Sequence, residues 1–159
     1  MTERQTVRIA LYQPDIPQNT GTILRMAACF GLSVDVIGPA GFSLTDAAFR
    51  RAGLDYLEKA ALVRHASWEA FMAERAERPG RLVLSTTRAS QTHAGFGFAP
   101  DDILLFGRES SGAPEIVHAA ADARIRIPMV DGVRSLNLAV SVALVVGEAL
   151  RQTGGFPPA

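Results

Sequence analysis

Small and hydroxyl-bearing residues follow three predicted strands in the second half of the chain. The residues at the ends of these strands run from Ser85 onward, from Gly107 onward and from Pro128 onward. Ligands of an open α/β sheet bind outside the carboxyl ends of its strands. We therefore expect the three loops to meet at one edge of the sheet and to form the binding pocket of the protein.

The same loops carry residue types that suit a flat, neutral group. Gly107 and Gly112 have no Cβ atom, which would let the backbone approach a ligand closely. Pro128, Met129 and Leu136 would supply apolar walls. Ordinary turn chemistry accounts for either glycine taken singly, and this alternative stays open beside the functional one.

One arginine could supply a positive charge near such a pocket. Arg25 lies four residues after Gly21 in a predicted helix, so the two residues share a face. The free amides at the start of that helix attract anions, and Arg25 beside them could hold a phosphate. The alternative is an ordinary surface arginine paired with an acidic side chain. Without further context, we favour this alternative for Arg25.

Several better-defined motifs are missing from the sequence. No Gly-x-Gly-x-x-Gly follows a strand, there is no Walker loop, and the spacing over 107–112 does not fit a nucleophile elbow. None of the three histidines lies at metal-ligand spacing from another or from Cys29, and we predict no metal site. Cys29 lies near the end of an amphipathic helix, where we expect a core residue.

Length and composition indicate one globular domain with a sizeable core. The 159 residues are 48% hydrophobic and 20% charged. No apolar run approaches the roughly 18 residues of a membrane span, and the polar start has no signal-peptide core.

A single cysteine excludes an internal disulfide and is typical of a reducing, cytoplasmic compartment. The net charge is zero, although fifteen of the sixteen basic residues are arginine, which either favours phosphate binding or reflects genome composition.

A parallel sheet is needed to hold the three loops, and the first 40 residues predict one. A strand ends before Pro14, a helix opens at Asn19 and stops at Gly31, and a second strand follows. Strand, helix and strand at this spacing form a βαβ unit, so we predict one α/β domain with about six mostly parallel strands flanked by helices. The predicted strands are 7–12, 34–37, 61–63, 81–86, 102–106 and 124–127, and the predicted helices are 19–30, 47–52, 68–77, a short one from Pro114, and 138–151.

The last predicted helix is apolar almost all round. Ser135 or Asn137 can cap its start, and Val140 and Leu144 extend its apolar surface beyond one face. A helix of this kind must be covered on all sides, and another subunit is the expected cover in so small a chain. The tail over 153–159 is rich in glycine and proline, and we expect it to be loose.

Three segments resemble, in order and spacing, the motifs of the SPOUT RNA methyltransferases. The segments are Asn19-Thr-Gly21-x-x-x-Arg25 with Gly31, then Leu105-Phe-Gly107-x-Glu109-x-x-Gly112, then Ile127-Pro-Met129 with Ser135-Leu-Asn137. The resemblance extends over residues 7–152. The segment Arg50-Arg-Ala-Gly-Leu-Asp-Tyr56 and the short length resemble one branch, the tRNA (cytidine/uridine-34)-2′-O-methyltransferases of the TrmL group.

The resemblance implies a fold, a cofactor and an assembly. The fold would be the SPOUT fold, an α/β sheet whose C-terminal segment is threaded through a loop to form a deep trefoil knot. S-adenosylmethionine would bind in the knot and leave as S-adenosylhomocysteine, and two chains would form a homodimer. By position, the cofactor contacts would be Ser85, Gly107, Ile127, Met129, Ser135 and Leu136.

The reaction implied by the resemblance is methylation of the ribose 2′-hydroxyl of the wobble nucleotide in the tRNA anticodon loop, with leucine tRNAs as substrates. That hydroxyl is a poor nucleophile and needs help in losing its proton. Arg25 occupies the position of the family's catalytic arginine, and would orient an RNA phosphate and the hydroxyl or take the proton. Asn19 would shape its loop or contact the ribose, and Glu109 would fix its loop or pair with an arginine.

A neutral protein can bind RNA if its arginines gather on one face. Phosphate contacts set the affinity, and the exposed bases of a single-stranded loop set the specificity. Solvated surface arginines are the alternative. The candidates in or beside predicted loops are Arg50, Arg51, Arg88, Arg108 and Arg134.

The chain departs from the pattern of that branch at Ala113, Ala139, Val140 and Gly147, and other functions stay open. A related methyltransferase could act on ribosomal RNA or on another tRNA position. An inactive relative could bind RNA without modifying it, although the intact Arg25 argues against this. A doubly wound nucleotide-binding protein is the third alternative, and the missing glycine fingerprint argues against it.

Overall fold

A parallel six-stranded sheet is the centre of the computed structural model, which describes residues 5–43, 47, 51, 61–133 and 135–159. The strands are β1 (Arg8–Tyr12), β2 (Ser33–Ile37), β3 (Ala61–His65), β4 (Leu82–Ser85), β5 (Ile103–Phe106) and β6 (Ala123–Ile125). The helices are α1 (Pro17–Phe30), α2 (Trp68–Glu77), α3 (Glu115–Ala120) and α4 (Leu138–Thr153). The strand order is β3-β2-β1-β5-β4-β6, and the predicted α/β class with a parallel sheet flanked by helices is confirmed.

Both faces of the sheet are buried against helices. Successive side chains of a strand point to opposite faces, so Ile9 and Leu11 pack in one cluster with α1 and α4. Ala10 packs in the other cluster with Phe71 of α2 and Val117 of α3. Strands buried on both faces must be apolar almost throughout, which the β5 sequence Ile-Leu-Leu-Phe illustrates.

The strand order reverses between β1 and β5, which pair in parallel. The chain leaves β1 into α1 on one face of the sheet, and it leaves β5 toward α3 on the other face. The loops at the carboxyl ends of these two strands therefore diverge. A crevice at such a switch point is where open α/β sheets bind their ligands.

The helix ends follow local sequence rules. Asn137 caps α4, because its side-chain oxygen accepts from the amide of Val140 at 3.3 Å. This finding decides between the two caps that the sequence allowed, Ser135 and Asn137. Gly31 ends α1 with a φ of 69°, in the left-handed region that favours glycine.

Some boundaries and one burial prediction differ from the sequence analysis. α1 begins at Pro17 rather than Asn19, since proline suits the first turn of a helix. β6 ends at Ile125. The prediction that Cys29 is a core residue is wrong, because Cys29 is exposed. It lies one turn after Arg25 and shares the solvent face of that residue.

The two faces of α4 differ in burial. Val142 and Val146 are fully buried in the core, whereas Val140 and Leu144 are 48% and 44% exposed. After α4, the ring of Phe156 contacts the ring of Phe30 with 5.4 Å between centroids, so this part of the predicted loose tail packs on α1.

Two sequence features cannot be followed through the structure. The helix predicted over 47–52 lies outside the described residues except for Ala47 and Arg51, and so does the segment 50–56 except for Arg51. Within the parts of the chain that are described, none of the helices combines the length and apolar character required to cross a bilayer.

Candidate functional site

An open cleft of about 600 Å³ lies at the carboxyl edge of the sheet, next to the switch point. The loops after β4, β5 and β6 and the start of α4 form its walls, and Asn19 reaches it from α1. The six residues predicted to contact a cofactor all line this cleft: Ser85, Gly107, Ile127, Met129, Ser135 and Leu136. The fold therefore brings together seven of the eight predicted site residues.

Arg25 is the predicted site residue that does not line the cleft. It is exposed on α1, six residues beyond Asn19, which corresponds to about 9 Å along the helix axis. Arg25 therefore lies outside the cleft, on the solvent face of α1.

A chain of hydrogen bonds joins the three sequence motifs beside the cleft. Asn137 Nδ2 donates to Asn19 Oδ1 at 3.0 Å, and Asn19 Nδ2 donates to Glu109 Oε1 over a longer distance of 3.5 Å. At the other end, Asn137 Oδ1 accepts from the amide of Val140. A backbone amide can only donate, so this last bond fixes the orientation of both side-chain amides and makes Glu109 an acceptor. We call this series of hydrogen bonds, from the Val140 amide through Asn137 and Asn19 to Glu109, the motif relay.

Glu109 also forms a pair with a second carboxyl group. Its Oε2 accepts from the backbone amide of Asp15 at 2.9 Å. Burial raises the pKa of Glu109, and its contact with the Asp15 carboxyl raises it further. The same contact lowers the pKa of Asp15, and Arg108 Nη2 lies 3.6 Å from Asp15 Oδ2. Of the two carboxyl groups, Glu109 is therefore the one that folding makes easier to protonate, and Asp15 is the one that folding makes harder to protonate.

The loop from Gly107 to Gly112 is shaped by its own backbone. Arg108 and Gly112 exchange two backbone hydrogen bonds, of 3.1 and 2.9 Å. A Cβ atom on residue 107 would lie only 2.5 Å from the amide nitrogen of Ala113. Gly112 has a φ of 68°, which disfavours other residues. The backbone of the loop therefore requires glycine at 107 and favours it at 112, and both residues also line the cleft.

The sequence analysis missed three hydroxyl-bearing residues of the cleft. Thr86, Thr87 and Ser141 also line it. The hydroxyl of Thr86 lies 3.0 Å from Nε2 of the buried His118. The run of Ser85 and the two threonines after an apolar strand was the available signal, since the whole run leaves the carboxyl end of β4. Nothing in the sequence marked His118, because its partner is 32 residues away.

Three of the five candidate RNA-binding arginines lie among the described residues. Arg88 pairs with Glu115, and Arg108 pairs with Asp15. Arg51 is exposed, and positions 50 and 134 lie outside the described residues. A search of the described residues also finds no group of three potential metal ligands.

Comparisons with known proteins identify the family of the chain. Residues 6–147 match the SpoU rRNA methylase family. The chain is 60% identical over 148 residues to the tRNA (cytidine(34)-2′-O)-methyltransferase of Beijerinckia indica subsp. indica, which covers 93% of this chain and 92% of the relative. It is also similar to a solved structure that concerns the 2-OH methylation of C/U34 on tRNA. That similarity has a TM-score of 0.87 and 41% identity, and it covers 94% of this chain and 97% of the other.

A more distant structure shows the cofactor of a related protein. The SpoU methyltransferase AviRb from Streptomyces viridochromogenes, solved in complex with AdoMet, has a TM-score of 0.85 and 27% identity to this chain. The similarity covers 95% of this chain and 62% of that protein. The family match includes all three motif segments and every wall of the cleft, which confirms the resemblance read from the motifs. The chain therefore belongs to the SpoU rRNA methylase family of methyltransferases.

Proposed function

We propose that the chain is an S-adenosylmethionine-dependent methyltransferase that modifies the ribose 2′-hydroxyl of cytidine or uridine 34 in the tRNA anticodon loop, with leucine tRNAs as its substrates. The observation that carries this proposal is the convergence of the three motif segments on one cleft. Family membership supports methyl transfer. The 60% identity to a tRNA (cytidine(34)-2′-O)-methyltransferase supports the position in tRNA.

The cleft fits a nucleoside cofactor in size and chemistry. Its volume of about 600 Å³ falls within the roughly 300–1,000 Å³ of small-molecule sites. Ile127, Met129 and Leu136 offer apolar surface to the adenine, whereas Ser85 and Ser135 offer hydroxyl groups to the polar parts. When bound, S-adenosylmethionine supplies an electrophilic methyl group on its sulfonium, and S-adenosylhomocysteine remains after transfer. Gly107 would contribute backbone contacts.

Asn19 acts in this scheme by shaping the site. Its Oδ1 accepts from Asn137 and its Nδ2 donates to Glu109. Both ends of the amide are thus engaged within the protein, which favours the shaping role over a contact with the ribose. Asn19 would keep the start of α1 at a fixed distance from the start of α4, where Ser135 and Leu136 face the cleft.

Arg25 would act on the RNA side of the reaction. A guanidinium keeps its charge throughout the accessible pH range and is a poor base. Arg25 would therefore bind a phosphate, hold the 2′-hydroxyl in line with the methyl group and stabilise the negative charge that develops on the oxygen. Its exposed position on α1 supports a partner as large as an RNA loop.

We infer that residues 1–159 form a single SPOUT domain with a deep trefoil knot. The loop over 86–100 contacts the chain on both sides of the third motif, which supports this inference. Arg126 exchanges two backbone hydrogen bonds of 2.8 Å with this loop. The side chain of Gln152 bonds to its backbone twice, at 2.9 and 2.8 Å. A chain that is bonded to one loop before and after the motif has the arrangement expected of a segment threaded through that loop.

The exposed apolar side of α4 supports a homodimer. Val140 and Leu144 lie one turn apart on this face and are nearly half exposed. A second copy of the chain would remove them from water, which stabilises association by about 25 cal/mol for each Å² of apolar surface buried. We place the enzyme in the cytoplasm, together with its tRNA substrate.

The proposal is tested by methylation of RNA in vitro. The protein is incubated with labelled S-adenosylmethionine and tRNA that lacks the modification, and the label is mapped by nuclease digestion. We expect a 2′-O-methyl group at nucleotide 34. Labelling of ribosomal RNA and not of tRNA would contradict the substrate and keep the methyltransferase class. Cofactor binding without labelling of either RNA would contradict the proposed activity.

A further inference from the structure

His118 is a buried, titratable residue that the proposed reaction does not use. It lies on α3 and is only 5% exposed. Its Nε2 lies 3.0 Å from the hydroxyl oxygen of Thr86, and its Nδ1 lies 3.2 Å from the carbonyl oxygen of Pro114. Thr86 lines the cleft, so a single hydrogen bond connects His118 to the cleft wall.

The partners of His118 determine the direction of these hydrogen bonds. The carbonyl oxygen of Pro114 can only accept, so Nδ1 carries the ring proton and the neutral ring has its lone pair on Nε2. Thr86 therefore donates its hydroxyl proton to Nε2. The same hydroxyl oxygen accepts from the amide of Arg88 at 3.2 Å. The rotation of the Thr86 hydroxyl is fixed as a result.

His118 also contacts the end of the loop after β5 and the strand β6. The carbonyl oxygen of Pro114, at the end of the loop after β5, accepts from the amides of Val117 and His118 at 3.0 and 3.1 Å. It accepts from the His118 ring as well. On β6, Arg124 Nε donates to the carbonyl oxygen of His118 at 3.1 Å. The segments after β4 and β5 and the strand β6 thus meet at one residue.

We propose that His118 is a positioning residue for cofactor binding. By accepting the hydroxyl proton of Thr86, it holds the wall over 85–87 at a fixed separation from the loop over 107–114. A wall that is fixed before the ligand arrives does not have to be ordered on binding, which favours affinity. The inference rests on the proposed function, because it takes S-adenosylmethionine as the ligand of the cleft.

The two partners of this hydrogen bond can be altered separately. His118→Leu fills the site with an apolar side chain and removes the Nε2 acceptor. His118→Gln can place an amide oxygen near the position of Nε2. Thr86→Val removes the hydroxyl at nearly constant volume. Since one hydrogen bond contributes modestly to binding, we expect His118→Leu and Thr86→Val each to raise the dissociation constant of S-adenosylmethionine about five- to tenfold. Isothermal titration calorimetry on the full chain measures this change, and His118→Gln should remain within about twofold of the wild type.

A double variant and a matched control identify the route of the effect. If His118 acts through Thr86, the variant with both His118→Leu and Thr86→Val binds no more weakly than either single variant. Glu115→Gln is the control, because Glu115 lies on the same helix and pairs with Arg88 of the same loop on the exposed side. Exposed ion pairs contribute little, so we expect an affinity within about twofold of the wild type.

The possible outcomes separate this inference from the proposed function. A wild-type protein that binds the cofactor, with unchanged affinity in Thr86→Val and in a folded His118→Leu, would overturn the inference alone. A His118→Gln variant as weak as His118→Leu would also overturn it, because the acceptor would then be irrelevant. If His118→Leu does not fold, Thr86→Val and His118→Gln decide the question. Failure of the wild type to bind S-adenosylmethionine would overturn the inference and the proposed function together.

Discussion

The cleft and the solvent face of α1 differ in their contacts within the chain. Hydrogen bonds between distant residues organise the cleft, whereas the solvent face of α1 is exposed. Beside the cleft, the motif relay bonds Asn19 to Glu109, 90 residues away, and to Asn137, 118 residues away. Arg25 lies on the same helix as Asn19 but faces solvent. The difference shows that a small-molecule pocket can be organised by the hydrogen bonds of the chain alone. Under the proposed function, Arg25 would meet the RNA at this surface, and its site would be completed when the RNA binds.

This division leads us to expect that changes on α1 and changes in the motif relay have separable consequences. Loss of the RNA-facing charge should reduce methyl transfer without changing cofactor affinity. Loss of a relay residue should change cofactor affinity first, because the relay holds the start of α4 beside the cleft.

The largest effect is expected for Arg25→Ala. A positioned donor that stabilises the negative charge developing in the transition state contributes about 100- to 1,000-fold to a rate, so the single-turnover rate of tRNA methylation should fall by at least about 100-fold. The dissociation constant of S-adenosylmethionine should be unchanged, because Arg25 does not line the cleft. Arg25→Lys serves as the control, because it keeps the charge without the planar fork, and it should show an intermediate rate. Loss of cofactor binding in Arg25→Ala would instead place this residue in the cleft.

A smaller effect, on affinity and stability together, is expected for Asn137→Ala. The variant loses the cap of α4, worth about 1 kcal/mol, and leaves Asn19 Oδ1 without its donor. We expect a lower unfolding temperature and roughly tenfold weaker binding of S-adenosylmethionine, measured by calorimetry.

Asn137→Ser separates these two contributions. Serine can cap the helix but is too short to replace the amide that reaches Asn19. It should therefore recover most of the unfolding temperature and little of the cofactor affinity. Equal affinities in the wild type, Asn137→Ser and Asn137→Ala would show that the relay does not organise the cleft.

The sequence predicted those features that depend on neighbouring residues. The βαβ pattern predicted parallel strands, and the hydrogen-bonding capacity of Asn137 predicted a cap, because both follow from local rules. The motif resemblance singled out eight site residues, of which the structure brings seven to the cleft, and their roles stay predictions. The strand order and the motif relay could not be predicted, since they depend on contacts between residues about 100 positions apart. Cys29 was misplaced because apolar composition near a helix end does not fix which face a residue occupies.

The smallest effect is a pH dependence of stability at Glu109. Folding raises the pKa of Glu109 by burial and by its contact with Asp15, so the protonated carboxyl is more favoured in the folded protein than in the unfolded chain. The stability that this residue contributes is present below its unfolded pKa and is lost as the pH rises through its folded pKa. The lowered pKa of Asp15 acts in the opposite sense, and its contribution is lost as the pH falls through the folded value.

Glu109→Gln isolates the contribution of Glu109. Glutamine does not titrate, so we expect the unfolding temperature of the wild type to fall relative to that of Glu109→Gln as the pH rises from below the ordinary glutamate pKa to above the raised one. Thermal unfolding at a series of pH values measures this difference. Parallel curves for the two proteins over that range would show that Asp15 and Glu109 do not interact as the structure indicates.

The central claim is that the cleft binds its cofactor without RNA, whereas Arg25 acts only on bound RNA. The most direct test of this division is calorimetric titration of S-adenosylmethionine into protein that is free of RNA. We expect saturable binding by the wild type, the same affinity in Arg25→Ala and a weaker one in Asn137→Ala. Binding that appears only after tRNA is added, or that is lost in Arg25→Ala, would contradict the division.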